Sequence, residues 1–172
     1  KHKEEFARNG INVLVSDYEF IQICNDKWET FRFLRDNGFP APQTYLELKE
    51  SLRAIDQNKL RYPVIVKPRW GMGSIGVYQA DNADELKVFY EKTKSTIMKS
   101  YLKYESELKI EESVIIQEKI EGQEYGLDVF NDLEGKYKNT CVKKKIAMRS
   151  GETDSASTVD KPELKQCGER IA

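Results

Sequence analysis

The 172-residue chain is long enough for one ordinary domain or two small lobes, and its 28 basic and 29 acidic residues leave a formal charge of -1. So even a balance provides no global field to hold nucleic acid or an anionic membrane, and any bound anion must be gripped locally. No apolar run approaches the roughly 20 residues of a membrane helix. Cys24, Cys141 and Cys167 are too scattered and odd in number for a zinc site or a disulfide framework, so a cytoplasmic protein is expected.

In chain order, Lys3 to Asn9 reads as a short helix stopped by Gly10, and Ile11 to Val15 as a buried strand. Asp26 and Glu29 have the spacing of a capping box, and Trp28, Phe31 and Leu34 recur at helical intervals, predicting a helix over Lys27 to Asn37 that Gly38 closes. Pro40 and Pro42 force extended chain; Leu48, Leu52 and Ile55 then mark one side of a helix from Glu47 to Leu60. Val64-Ile65-Val66 is a β-branched strand, Gly71 to Gly76 a glycine-rich turn and Val77 to Ala80 a second strand, which together make a hairpin. Asn82 with Glu85 caps a long helix whose apolar face carries Leu86, Phe89, Tyr90, Ile97, Tyr101 and Leu102, a spacing that reads as core. Val114 to Ile116 begins a strand that Glu121-Gly122 breaks, and Tyr125 to Phe130 resumes it. A turn over Asn131 to Gly135 leads into a strand over Tyr137 to Met148, whose three lysines Lys143 to Lys145 read as a solvated edge. Ser150 to Ser157, small and polar, reads as loop, and Pro162 starts a last helix.

Gly71-Met72-Gly73-Ser74-Ile75-Gly76 fits G-x-G-x-x-G, a pattern several nucleotide-binding folds share. In a dinucleotide fold the glycines open a helix, whereas Val77-Tyr78-Gln79 follows here. A P-loop closes on Gly-Lys-Ser/Thr, but the next lysine is Lys87, inside the capped helix. A protein kinase carries its lysine on the strand after the loop, and Lys67 stands before it. What survives is a hairpin whose glycine tip lies over a polyphosphate beside Lys67. Successive glycines let backbone N–H groups turn toward a bulky anion with no Cβ in the way, and a plain turn would need only one.

The run Pro63-Val64-Ile65-Val66-Lys67-Pro68-Arg69-Trp70-Gly71 through Val77 resembles the lysine and glycine-rich flap of ATP-grasp enzymes, in particular the carbamoyl-phosphate-synthase-like branch. Asn25-Asp26-Lys27, with Phe33-Leu34 and Gly38-Phe39-Pro40-Ala41-Pro42, is similar to that family's opening helix. Gln117-Glu118-Lys119-Ile120-Glu121-Gly122-Gln123-Glu124-Tyr125 is similar to its adenine-binding hinge and following strand. The likeness runs from Asn25 to about Val129, and more weakly through Arg149-Ser150-Gly151-Glu152. It implies an α+β ATP-grasp fold, antiparallel sheets with flanking helices, incomplete at the C-terminal end. Residues 1–46 would be a remnant of a preceding domain and the opening helix, 47–120 the small lobe with the flap, and 121–172 the first part of a truncated large lobe.

The same resemblance implies ATP as ligand. Lys27 and Lys67 would contact its phosphates, Gly71, Met72, Gly73, Ser74 and Gly76 would cover them, Glu118, Lys119 and Ile120 would grip adenine, and Glu124 would contact the ribose. Lys27 and Lys67, with Arg149 near the acceptor substrate, are the candidate catalytic side chains. The family holds Mg²⁺ with carboxylates, typically in a Glu-x-Asn-x-Arg segment that does not occur between Lys1 and Ala172, so the metal ligands are expected beyond Ala172. Asp128, Asp132 and Glu152 read as ordinary turn acids rather than substitutes. The implied function is the ATP-binding part of a carboxylate–amine or carboxylate–thiol ligase working through an acyl phosphate on a small carboxylate, with little turnover by this piece alone. The alternative is a non-catalytic nucleotide-binding or interaction module.

Overall fold

A computed structural model describes residues 2–172 and divides them after Ile120 into two units, the second comprising Glu121–Ala172. In the first unit the elements are α1 (Lys3–Arg8), α2 (Tyr18–Asn25), α3 (Lys27–Asp36), β1 (Thr44–Tyr45), α4 (Leu48–Asp56), β2 (Val64–Pro68), β3 (Tyr78–Ala80), α5 (Ala83–Met98), α6 (Lys103–Ser106) and β4 (Val114–Glu118), with a short 3-10 turn over Glu107–Glu112 before β4. The four strands form one antiparallel sheet in the order β1-β4-β2-β3.

Side-chain alternation along β2 organises this unit. Val64, Val66 and Pro68 are buried, and Ile65 and Lys67 point to the opposite face. In the antiparallel register Val66 stands opposite Ile116 and Pro68 opposite Val114, so one face carries a continuous apolar patch. Leu86, Tyr90 and Ile97 of α5 cover that patch, joined by Ala54, Leu60, Ala80 and Leu102. Leu86 and Ile97 are wholly buried, which contributes about 1.5–3 kcal/mol each. The start of α5 is capped: Asn82 Oδ1 accepts the N–H of Asp84 and Glu85, and the Glu85 carboxylate accepts the N–H of Asp81, one residue before the cap.

Several boundaries differ from the sequence expectation. Ile11 to Val15 is no strand: among the described residues it pairs with no other strand, and Leu14 is 84% exposed. An apolar run becomes a strand only where a partner edge exists, and that is a nonlocal condition. The expected helix from Glu47 to Leu60 ends at Asp56, because Asn58 adopts a left-handed φ of 57°. The Asn58 N–H then bonds Ile55 O, the Lys59 N–H bonds Ala54 O, and Leu60 turns inward, a Schellman stop. Tyr101 and Leu102 lie past the end of α5; Leu102 is buried and Tyr101 exposed.

The second unit is a three-stranded antiparallel sheet, β5 (Tyr125–Asn131), β6 (Tyr137–Arg149) and β7 (Glu152–Thr158) in that order, packed by α7 (Pro162–Ile171). Val142 and Thr140 of β6 are buried, and Gly168 is the point where α7 comes nearest: an added Cβ would lie 2.2 Å from Thr140 Oγ1. The expected loop over Ser150 to Ser157 is instead a two-residue hairpin turn followed by a strand. Ser150 (φ 51°) and Gly151 (φ 82°) take the left-handed conformations of such a turn, and β7 follows with every side chain exposed. A strand with no buried face has no apolar alternation to announce it.

Candidate phosphate-binding site

Lys67 stands on the face of β2 that turns away from the apolar patch. Its Nζ donates to Gln117 Oε1 at 2.6 Å, and Gln117 Nε2 donates to Thr44 Oγ1 at 2.8 Å, so β2, β4 and β1 each supply one member of a chain across the sheet. Burial pushes the Lys67 ammonium below the ordinary lysine range.

The second lysine is delivered by α3. Asp26 Oδ1 caps this helix by accepting the Trp28 N–H at 2.9 Å and the Glu29 N–H at 3.3 Å. The same residue forms an isolated antiparallel bridge with Trp70, and the Lys27 N–H bonds Arg69 O at 3.2 Å. The start of α3 is therefore sewn to the chain just after β2. Lys27 Nζ donates to Gly71 O at 2.7 Å and to Arg69 O at 3.3 Å. Its pKa falls to about 8, first through burial and then through the charge of Lys67, with Asp26 and Glu105 opposing. Lys27, held to Gly71 at the base of the glycine turn, thus feels the positive charge of Lys67.

Four residues of that turn take left-handed φ angles: Gly71 (99°), Gly73 (74°), Ser74 (58°) and Gly76 (69°). Its two ends are anchored. A Cβ on Gly71 would meet Leu102 Cδ2 at 2.3 Å, and Gly76 O accepts from Thr93 Oγ1 at 3.0 Å. Ile75 packs against the core, while Met72, 75% exposed, forms the tip with Gly73 and Ser74. Two cations at the base and a string of positive-φ amides above them form a donor set for a polyanion.

Other expected residues stand elsewhere. The Glu118 N–H bonds Gln43 O at 2.8 Å and its carboxylate accepts the Gln43 N–H at 3.1 Å, so this residue is fastened to the segment entering β1; Lys119 and the exposed Ile120 close the first unit. In the second unit Glu124 is ion-paired with Lys145 of its own sheet, and Arg149, its side chain 79% exposed, lies 3.5 Å from Asp154. Among the described residues no three His, Cys, Asp or Glu side chains gather to hold a metal ion, and no helix is long and apolar enough to cross a membrane. Arg69 and Gln117 stand inside the family-like motifs with no role legible from them, Glu112 stands outside them, and Asp26 is legible as a helix cap beside Lys27. Pairs such as Asp26 and Arg69 are far apart in the chain and leave no periodic or motif signal.

An antiparallel-sheet lysine, a helix-borne lysine and a glycine-rich turn together make a candidate cradle for a polyanion. Residues 60–160 match the family model described as the ATP-grasp domain, and the chain belongs to that family. A carbamoyl-phosphate synthase of Methanobrevibacter smithii is 27% identical over 112 residues, which is 64% of this chain and 30% of the relative. A D-alanine–D-alanine ligase of Thermotoga maritima is 37% identical over 76 residues, 44% of this chain and 23% of the relative. This chain therefore spans less than a third of the length of either relative. The biotin carboxylase domain of Hydrogenobacter thermophilus 2-oxoglutarate carboxylase, solved with MgADP, ADP and bicarbonate, superimposes with a TM-score of 0.75 at 19% identity. It matches over 98% of this chain and 37% of its own length, which shows the shared fold. The expected α+β ATP-grasp architecture, part of that fold, is borne out, and the chain is an ATP-grasp ligase-like domain.

Proposed function

We propose that this chain grips the triphosphate of ATP within a cytoplasmic ligase that phosphorylates a small carboxylate, and that the resulting acyl phosphate is then attacked by an amine or thiol. The observation that carries the reading is that Lys27, bonded to the Gly71 carbonyl at the base of the flap, also feels the charge of Lys67 on β2. Two adjacent ammonium groups repel each other in the ligand-free chain, so a polyanion between them relieves an unfavourable contact as well as forming new bonds. Lys27 would exchange the Gly71 and Arg69 carbonyls for phosphate oxygens, and Lys67 would exchange Gln117. Each ammonium would thereby trade a neutral oxygen acceptor for an anionic one.

ATP, when bound, supplies the phosphoryl group; the chain's own part is to position it and neutralise its charge. The donors described here fit that anion. They do not fit Mg²⁺, because Lys27, Lys67 and the flap amides present N–H groups and no carboxylate, so no metal step is assigned to these residues. In the same reading Glu118, Lys119 and Ile120 border adenine, Glu124 contacts the ribose, and Arg149 faces the acceptor.

Titration calorimetry with ATP, ADP and AMP tests the proposal. Affinity should rise with phosphate number, and Lys67→Met or Lys27→Met should each weaken ATP about tenfold or more. ATP binding no more tightly than AMP would refute a phosphate grip.

A further inference from the structure

The Gly71 and Arg69 carbonyls hold the Lys27 ammonium, and a buried charge cluster beside it anchors the helix start that delivers it. Arg69 is 2% exposed and Asp26 8%. The Arg69 Nε lies 2.8 Å from Asp26 Oδ1 and 2.9 Å from Oδ2, and its Nη2 lies 2.8 Å from Oδ2. Nη1 donates to Glu112 Oε2 at 2.8 Å, Nη2 stands 3.6 Å from Glu29 Oε1, and the guanidinium lies 4.6 Å from the centre of the Trp70 ring. The Arg69 N–H bonds Ser113 O at 2.8 Å, which fixes the same residue to the start of β4. Three elements, α3, the end of β2 and the lead into β4, thus meet on one side chain.

We infer that Arg69, clasped by Asp26 and Glu112, is a positioning residue that holds Lys27 against Lys67 at the base of the flap. Asp26 serves two functions with one carboxylate, capping α3 and seizing Arg69, so the helix that carries Lys27 cannot drift without breaking a buried, multiply bonded ion pair. Arg69 faces Asp26, Glu29 and Glu112, and Arg32 also pairs with Glu29 at 3.3 Å, so two cations meet three carboxylates. Of these the Asp26 carboxylate favours the Lys27 ammonium, against the charge of Lys67, while the helix start is held in place. A lysine at position 69 would keep the charge but not the planar fork that spans Asp26 and Glu112.

The inference deepens the phosphate-grip reading and rests on it only for its effect on ATP. Its direct readout needs no nucleotide: the titration midpoint of Lys27, measured by pH-dependent acetylation and mass spectrometry on the whole chain. The groups acting on Lys27 are Lys67, Asp26 and Glu105. Asp26→Asn keeps a good helix cap and removes the carboxylate charge. If Asp26 acted on Lys27 by its charge alone, its loss would lower the midpoint further. If the clasp positions the helix start, its loss frees Lys27 from burial and from Lys67, and the midpoint climbs back toward the ordinary lysine value. Glu112→Gln, at a half-exposed arm of the clasp, should shift it the same way but less, and Arg69→Lys should not restore the native midpoint.

In folded Asp26→Asn and Glu112→Gln chains, an upward shift accompanied by ATP binding about tenfold weaker in Asp26→Asn is the expected result. An unchanged or lowered midpoint in both overturns the positioning role. Failure of the unmutated chain to bind ATP would instead overturn the phosphate-grip reading, and the midpoint would still decide the clasp.

Discussion

Raising the pH from 7 to 9 should loosen ATP, and the structure sets both the sign and the size. Lys27 titrates at about 8 in the ligand-free chain, through burial and the neighbouring Lys67 charge. It is therefore about nine-tenths protonated at pH 7 and about one-tenth at pH 9. A bound triphosphate stabilises the ammonium and raises its pKa, so binding takes up a proton at the alkaline end of this window. The phosphate groups are already largely ionised there, since their last ionisation lies near pH 6. Affinity then follows the protonated fraction of the free chain, and Kd should rise about tenfold, ~1.4 kcal/mol, between pH 7 and 9. Burial lowers Lys67 in the same direction. Calorimetry in buffers of differing ionisation enthalpy would measure both Kd and proton uptake, and Lys27→Met should bind more weakly with a flatter profile. A Kd constant within a factor of two across the window, or one that falls with pH, would refute the coupling of the two lysines to a shared anion.

Three further outcomes follow from close approaches elsewhere. Gly71→Ala places a Cβ 2.3 Å from Leu102 Cδ2 at a φ of 99°, and should cost about 2 kcal/mol in thermal denaturation followed by circular dichroism. Gly73→Ala, which meets no atom within 4 Å, should cost only about 1 kcal/mol for its left-handed backbone. In the second unit, Gly168→Ala drives a methyl to 2.2 Å from the wholly buried Thr140 Oγ1. It should lower the urea midpoint by an amount equivalent to roughly 1–3 kcal/mol, with partial recovery when Thr140→Ala is added. Gln117→Glu sets a carboxylate against the Lys67 ammonium, which now bonds the amide oxygen at 2.6 Å. ATP would have to displace a counter-ion, so its affinity should drop several-fold with little loss of stability.

Local chemistry made much of this molecule readable from its residues. Asn82 with Glu85 predicted the cap of α5, the β-branched Val64 to Val66 predicted β2, and the glycines from Gly71 to Gly76 predicted a turn between paired strands. The helix α2 over Tyr18–Asn25 was missed because its ends carry no side-chain cap and it buries no residue completely. β7 escaped for the same reason in another guise, having seven exposed residues and register set by its partner alone. At the candidate site, Lys27 and Lys67 were expected to converge on one anion. The residues behind them were not foreseen, because an ion pair such as Arg69 with Asp26 is decided by tertiary contact and has no spacing rule in the chain.

Both tryptophans of the sequence adjoin the lysine pair: Trp28 immediately follows Lys27 and lies 5.4 Å from the Phe31 ring, and Trp70 immediately precedes Gly71 with a guanidinium over its face. Indole emission responds to nearby charge, and each indole is next in the chain to a residue of the candidate site, Lys27 or Gly71. The protein consequently carries an intrinsic optical reporter whose signal comes from the neighbourhood of the flap alone, with no indole in the second unit to dilute it. Stopped-flow fluorescence on the unlabelled chain could therefore time the arrival of a nucleotide.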